Sequence, residues 1–255
     1  MVFSKYQGTG NDFILIDGSK LLIDPFTLPV SQLCDRRFGI GADGLIIINK
    51  KENVDFEMLY FNSDGSQTFC GNGARCAVKF AFDSNYIESK TIFSAFDGIH
   101  HATIHNQEVS IQMQNVNQIT KKNNAYVLDT GCPHYVEFVE NLDNVDIVAT
   151  GKTIRFSEEY IDEGINVNLV SPHKETLTIL TYERGVENET YSCGTGAVAS
   201  VLAHKFSKKI TGNFKSRVKV KGGELVVTGN CDGKIFNNIY LTGKALKVYE
   251  GQISL

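Results

Sequence analysis

Short apolar runs, several of them alternating strictly with polar residues, recur along the chain and predict many β-strands and few helices. Strands are expected at 13–16, 45–48, 56–61, 109–113, 126–128, 135–139, 177–182, 218–220, 225–227 and 245–249. The period of two in Ser110-Ile111-Gln112-Met113 and in Arg217-Val218-Lys219-Val220 implies mainly antiparallel sheets with one wet face. Helical spacing is clear in two places. After Cys70 the apolar positions are Ala74, Ala77, Val78, Ala81 and Phe82; after Cys193 they are Ala197, Val198, Val201, Leu202 and Phe206. The class is α+β, with each helix wrapped by mostly antiparallel sheet.

The two helices open on copies of one pattern, Cys70-Gly71-Asn72-Gly73-Ala74 and Cys193-Gly194-Thr195-Gly196-Ala197, about half the chain apart. Leu59-Tyr60-Phe61 runs into Asn62 and Gly65 before the first, and Leu180-Thr181-Tyr182 runs into Glu183, Arg184 and Gly185 before the second. The unit strand, polar turn, Cys-Gly-x-Gly, helix therefore occurs twice, which points to a duplicated domain. The polar stretch 115–124 is the expected linker. The expected halves are 1–116, completed by a C-terminal strand at 244–255, and 117–243.

Composition narrows the classes. A chain of 255 residues suits two ordinary domains, and a net charge of −4 with scattered basic residues leaves no footprint for nucleic acid. Lys205, Lys208 and Lys209 read as the solvated end of a helix. No apolar run approaches the ~20 residues of a membrane span, and the start, Phe3-Ser4-Lys5-Tyr6, has no leader pattern, so a cytosolic setting is expected. In that setting the six cysteines stay reduced. No Cys-x-x-Cys pair is present and Cys70 and Cys76 are too widely spaced for a zinc knuckle. His100, His101 and His105 read as surface residues, and no metal is expected. Gly39-Ile40-Gly41-Ala42-Asp43-Gly44 imitates a dinucleotide fingerprint but precedes a strand instead of following one, which excludes NAD. Gly151-Lys152-Thr153 imitates the end of a P-loop, but Asp146 stands where its first glycine belongs. Asn188-Glu189-Thr190 is a formal glycosylation triplet without meaning in the cytosol.

A thiol at a helix start faces unpaired N–H groups and a partial positive charge, which favours thiolate. The neighbouring glycines let a carboxylate approach those donors. One such motif fits a buried, inert cysteine beside a turn; two matched copies fit a pair of acid–base groups. If the halves close about a pseudo-two-fold axis, Cys70 and Cys193 flank one substrate atom and can invert a carbon centre. Gly71, Asn72, Gly194 and Thr195 would then supply donors for the carboxylate of the developing carbanion.

Seven blocks along the chain resemble the diaminopimelate epimerase family. They are Tyr6-Gln7-Gly8-Thr9-Gly10-Asn11-Asp12-Phe13, Arg37-Phe38-Gly39-Ile40-Gly41-Ala42-Asp43-Gly44, Phe61-Asn62-Ser63-Asp64-Gly65, Cys70-Gly71-Asn72-Gly73-Ala74-Arg75-Cys76, Pro133-His134, Asn166-Val167-Asn168, and Tyr182-Glu183-Arg184-Gly185 with Cys193-Gly194-Thr195-Gly196-Ala197. The resemblance implies a cofactor-independent, pyridoxal-free epimerase interconverting LL- and meso-2,6-diaminopimelate on the route to lysine and peptidoglycan. It implies Cys70 as proton donor and Cys193 as acceptor in the LL-to-meso direction, and His134 and Glu183 as supporting catalytic residues. Asn11, Asn62, Asn166 and Arg184 are implied to grip the substrate, an arginine suiting a carboxylate clamp. The resemblance also implies a homodimer.

Two positions depart from the commonest family pattern. Gly44 stands where many members carry a substrate-touching glutamine, and Cys132 where many carry a substrate-binding asparagine; altered substrate affinity is expected at both. A proline racemase-like isomerase is the nearest alternative, although Asn11, Asn62, Asn166 and Arg184 suit a longer, doubly zwitterionic substrate. A thiol redox or sensor protein, with a reversible Cys70–Cys193 disulfide, and a non-catalytic binding protein are the alternatives from other classes.

Overall fold

The structure, a computed structural model, describes residues 1–254. The chain forms two compact units, one of Met1–Ile111 with the residues from Gly243 onward, the other of Gln112–Thr242.

The first unit contains β1 (Val2–Gly8), β2 (Asn11–Asp17), α1 (Val30–Cys34), β3 (Gly44–Asn49), β4 (Phe56–Asn62), α2 (Gly71–Asp83), β5 (Lys90–Ala95), β6 (Gly98–His105) and β7 (Glu108–Gln112). β1–β2, β3–β4, β5–β6 and β6–β7 pair antiparallel, whereas β2–β3 and β4–β5 pair parallel. The C-terminal strand Leu246–Gln252 lies antiparallel to β1. Alternation along β2 and β3 explains their unbroken apolar runs. Phe13, Leu15, Ile46 and Ile48 pack into the core holding α2, while Ile14, Ile16, Leu45 and Ile47 pack on the opposite face with Val30 and Leu33 of α1. These central strands have no wet face, contrary to the simple alternating pattern expected.

The second unit repeats this order with β8 (Ile119–Lys122), β9 (Ala125–Asp129), β10 (Pro133–Phe138), α3 (Ile147–Arg155), β11 (Asn166–His173), β12 (Thr176–Glu183), β13 (Asn188–Glu189), α4 (Gly194–Ser207), β14 (Gly212–Val220), β15 (Gly223–Cys231) and β16 (Phe236–Lys244). β9–β10, β11–β12 and β14–β15 pair antiparallel, and β10–β11 and β12–β14 parallel. This is the sign sequence of β1 to β6, with α3 in the place of α1 and α4 in that of α2. Val136, Val170 and Ile179 pack against α4, while Val167, Leu169 and Tyr182 pack against Ile147 of α3.

Several local readings change. The stretch 115–124 is no bare connector: Val116 is buried and bridged to Phe236, and β8 lies within it. Phe82 and Phe206, assigned to buried helix faces, are 38% and 41% exposed, whereas Lys205 is buried with its ammonium over the Phe214 ring. His100 is not a free surface group; it stacks on Phe69 at 4.2 Å and bonds Asp97. Asp146, which broke the P-loop pattern, caps α3 by accepting the Ala149 N–H at 2.9 Å.

Candidate active site

Each unit gathers its candidate residues at the same four places: the turn before its second strand, the start of the third, the end of the fourth, and the N-terminus of its long helix. In the first unit the turn is Thr9-Gly10, both at positive φ (53° and 86°), joining a pair in register at Gly8 and Asn11. It sets Asn11 at the head of β2. Asn11 Oδ1 accepts from Asn72 Nδ2 at 3.2 Å and lies 3.7 Å from the Cys70 sulfur, while Asn11 Nδ2 donates to Asp43. Cys70 is the N-cap of α2, its sulfur accepting the Gly73 N–H at 3.4 Å. A Cβ placed on Gly71 would meet open space, so ligand can reach this helix start. Asn62, at the end of β4, pairs in register with Gly44 at the head of β3. Its carboxamide accepts from the Tyr60 hydroxyl at 2.9 Å and donates to Ser66 and Thr68 in its own turn.

Gly44 is packed too tightly for the affinity reading alone. A Cβ there would stand 2.5 Å from the Tyr60 ring and 2.7 Å from the Phe61 carbonyl oxygen. Behind the helix start, Arg75 is fully buried and donates to Thr9 and Asn72, each at 2.8 Å. Arg75 lies inside the Cys70–Cys76 motif, where nothing in spacing distinguishes a helix residue turned inward under the site from one turned to water. Asp43, which orients Asn11, is held in turn by Arg36 at 2.8 Å.

In the second unit the turn is Thr130-Gly131, and Thr130 donates to the Thr195 carbonyl at 2.9 Å. Cys132 and His134 follow at the head of β10, with His134 in register opposite Asn166 at the head of β11. The Cys132 sulfur lies 3.3 Å from His134 Nε2, 3.2 Å from Asn166 Nδ2 and 3.3 Å from the Thr195 hydroxyl. Thr195 in turn lies 3.4 Å from the Cys193 sulfur, and Cys193 is the N-cap of α4. Asn166 accepts the Arg184 backbone N–H at 2.8 Å, and Arg184 sends its guanidinium to the Glu163 carbonyl at 2.6 Å. Glu183 ends β12, half-buried, at the position that Asn62 occupies in the first unit. Gly194 opens α4 in a buried first turn. Asn168, two residues along the same strand face from Asn166, donates to His134 Nδ1 at 3.1 Å. Its part was legible only as one member of the block Asn166-Val167-Asn168.

The electrostatics oppose a uniform lowering of thiol pKa by helix starts. Burial, and then the Glu183 carboxylate, push Cys193 well above the ordinary thiol range, with the Thr195 hydroxyl pulling the other way. Burial raises Cys132 as well, again offset in part by Thr195. Full burial drives His134 down to about 3, so its ring is neutral at physiological pH. No disulfide joins any two of the six cysteines, and among the described residues no cluster of His, Cys, Asp and Glu could hold a metal.

Each unit thus sets a cysteine, half-buried Cys70 or buried Cys193, at the start of its long helix, beside N–H groups of the kind that hold a carboxylate and at a place suited to acid–base chemistry. The diaminopimelate epimerase family pattern matches residues 3–119 and 126–248. The chain belongs to the diaminopimelate epimerase family. Its relatives include a diaminopimelate epimerase of Flavobacterium psychrophilum, 50% identical over 99% of this chain and 100% of the relative. Another, of Chlorobaculum tepidum, is 39% identical over 98% of this chain and 100% of the relative. Solved structures extend the family's fold further. A Bacillus anthracis phenazine biosynthesis protein of the PhzF family matches with a TM-score of 0.79 at 14% identity, covering 100% of this chain and 99% of that one. A hydroxyproline epimerase from Agrobacterium vitis matches with a TM-score of 0.71 at 14% identity, over 100% and 92%. Family membership makes the chain an isomerase of the α+β epimerase fold, and no helix among the described residues is long and apolar enough to cross a membrane.

Proposed function

We propose that this chain interconverts LL- and meso-2,6-diaminopimelate without a cofactor, Cys70 and Cys193 exchanging the α-proton. The reading rests on one observation: the same four element ends are built twice, each around a cysteine at the start of a buried helix. The 50% identity to an enzyme bearing that name supports the substrate. One thiolate removes the α-proton, the amides of Gly71, Asn72, Gly194 and Thr195 are the donors for the carbanion's carboxylate, and the other thiol delivers a proton. Glu183 and His134 shape the second half-site, and Asn11, Asn62, Asn166 and Arg184 hold the amino and carboxyl groups. The duplicated halves are proposed as 1–116 completed by 244–255 and as 117–243, boundaries within a few residues of the two compact units Met1–Ile111 with Gly243 onward and Gln112–Thr242, and the setting is cytoplasmic.

Incubation with LL-diaminopimelate in heavy water, without pyridoxal phosphate, is expected to place deuterium at the α-carbon. Absence of exchange overturns the proposal. Cys70→Ser and Cys193→Ser are each expected to lower turnover by at least about a hundredfold, within the range that a lost general acid or base costs, with substrate binding largely kept. Equilibrium sedimentation is expected to show a homodimer, and a monomer at all concentrations would remove that assignment.

A further inference from the structure

Cys132 occupies a repeated slot with the wrong chemistry for its repeat. Thr9-Gly10-Asn11 and Thr130-Gly131-Cys132 lie at corresponding hairpins, the first closing at Gly8 and Asn11 and the second one residue wider, at Asp129 and Pro133, with Gly10 and Gly131 both at positive φ. In the first unit the slot residue, Asn11, meets Asn72, two residues after Cys70. In the second, Cys132 meets Thr195, two residues after Cys193. An amide oxygen has been replaced by a sulfur that carries a proton.

The direction of each hydrogen bond follows from its anchored ends. The Thr181 hydroxyl donates to Asn168 Oδ1 at 3.0 Å, and Asn168 Nδ2 donates to the Tyr135 carbonyl at 3.1 Å, which fixes the carboxamide. The group facing His134 Nδ1 is therefore an N–H, so Nδ1 accepts and the neutral ring bears its proton on Nε2. That proton points at Cys132 Sγ, 3.3 Å away. Asn166 is fixed likewise by the Arg184 N–H on its Oδ1, which turns its Nδ2 toward the same sulfur at 3.2 Å. Two N–H donors occupy the sulfur lone pairs. The Cys132 thiol proton is left to donate to Thr195 Oγ1, and the Thr195 proton then faces Cys193 Sγ.

We propose that Cys132 is a positioning residue which, through the directed chain His134 N–H, Cys132 S–H and Thr195 O–H, aims the Thr195 proton at Cys193 Sγ and so favours its proton-accepting form. The titratable and charged groups facing the two sulfurs are Glu183, Arg184, Asp129 and His134. Burial and Glu183 favour the protonated thiol, and the Thr195 hydroxyl, with the Gly196 N–H, offsets part of that cost and so eases formation of the thiolate. Cys70 lies between an acceptor, Asn11 Oδ1 at 3.7 Å, and a donor, the Gly73 N–H at 3.4 Å. The role of Cys132 rests on Cys193 being a reacting thiol, but not on which amino acid it acts upon.

The test uses the full chain without substrate. Alkylation of Cys193 by iodoacetamide is followed against pH by peptide mass spectrometry, which separates Cys193 from Cys132 and Cys70. Cys132→Ala is expected to move the Cys193 profile up by about one pH unit, a roughly tenfold slower reaction at neutral pH. Cys132→Ser, which retains a donor to Thr195, is expected to restore most of the rate, and the Cys70 profile should stay put in both. If the alanine variant does not fold, Cys132→Val supplies the donor-free case. A Cys193 profile unchanged by loss of the donor, or equal shifts in the serine and donor-free variants, overturns the proposal. Neither outcome depends on turnover of diaminopimelate.

Discussion

Gly44 shows how far a residue's role depends on its neighbours. Its departure from the family pattern points to a lost substrate contact, yet the space for a side chain is filled by the Tyr60 ring and the Phe61 carbonyl. The Tyr60 hydroxyl reaches Asn62, so a bulky neighbour now supports a residue assigned to the substrate. Gly44→Gln is therefore expected to destabilise the fold by about 1–3 kcal/mol through overpacking. A shift of the urea midpoint at constant slope would show it, and an unshifted midpoint would return Gly44 to a role in affinity alone. Cys70 and Cys193 were legible because the motif is written twice. The part assigned to Cys132 was not, since it depends on which way Asn168 and Asn166 are turned, and those amides are anchored by Thr181 and by the Arg184 backbone.

At the scale of elements, strong apolar runs mark β2, β3, β4 and β12, because these strands are buried and need side chains that fill space on their faces. Strands β6 and β16 carry His100, His101, Asn237 and Asn238, and such polar or half-exposed strands give no strong periodic signal. The helices α1 and α3 carry equally weak signals. α1 has only five residues, and α3 holds Gly151 where a helix former is expected. A Cβ at Gly151 would lie 2.4 Å from Tyr182, so the helix sits directly on β12, next to Glu183. Glycine's weak helix propensity is offset by close packing of helix on strand.

For the whole molecule, the chain's return to its beginning matters most. The C-terminal strand, β17 (Leu246–Gln252), pairs with β1, and the N-terminal ammonium donates to the Ile253 carbonyl at 2.7 Å. Ending the chain after Lys244 would strip this partner and expose β1 as an edge. The truncated protein is expected to lose about 3–5 kcal/mol, from several ladder bonds at about 1 kcal/mol each, and to aggregate more readily. Denaturant unfolding checks this, and an unchanged midpoint would show that β17 only decorates the unit. Hydrophobic spacing and the doubled Cys-Gly-x-Gly by themselves determined the α+β class and pointed to the duplication and the two candidate thiols, and the seven sequence blocks carried the family resemblance, since these are written in local periodicity and short motifs. Tertiary structure alone decided that the central strands are covered on both faces, that Gly44 has no room for a side chain, and that Thr195 joins Cys132 to Cys193. Those are contacts between residues distant along the chain, and neither burial nor hydrogen-bond direction exists until folding brings them together.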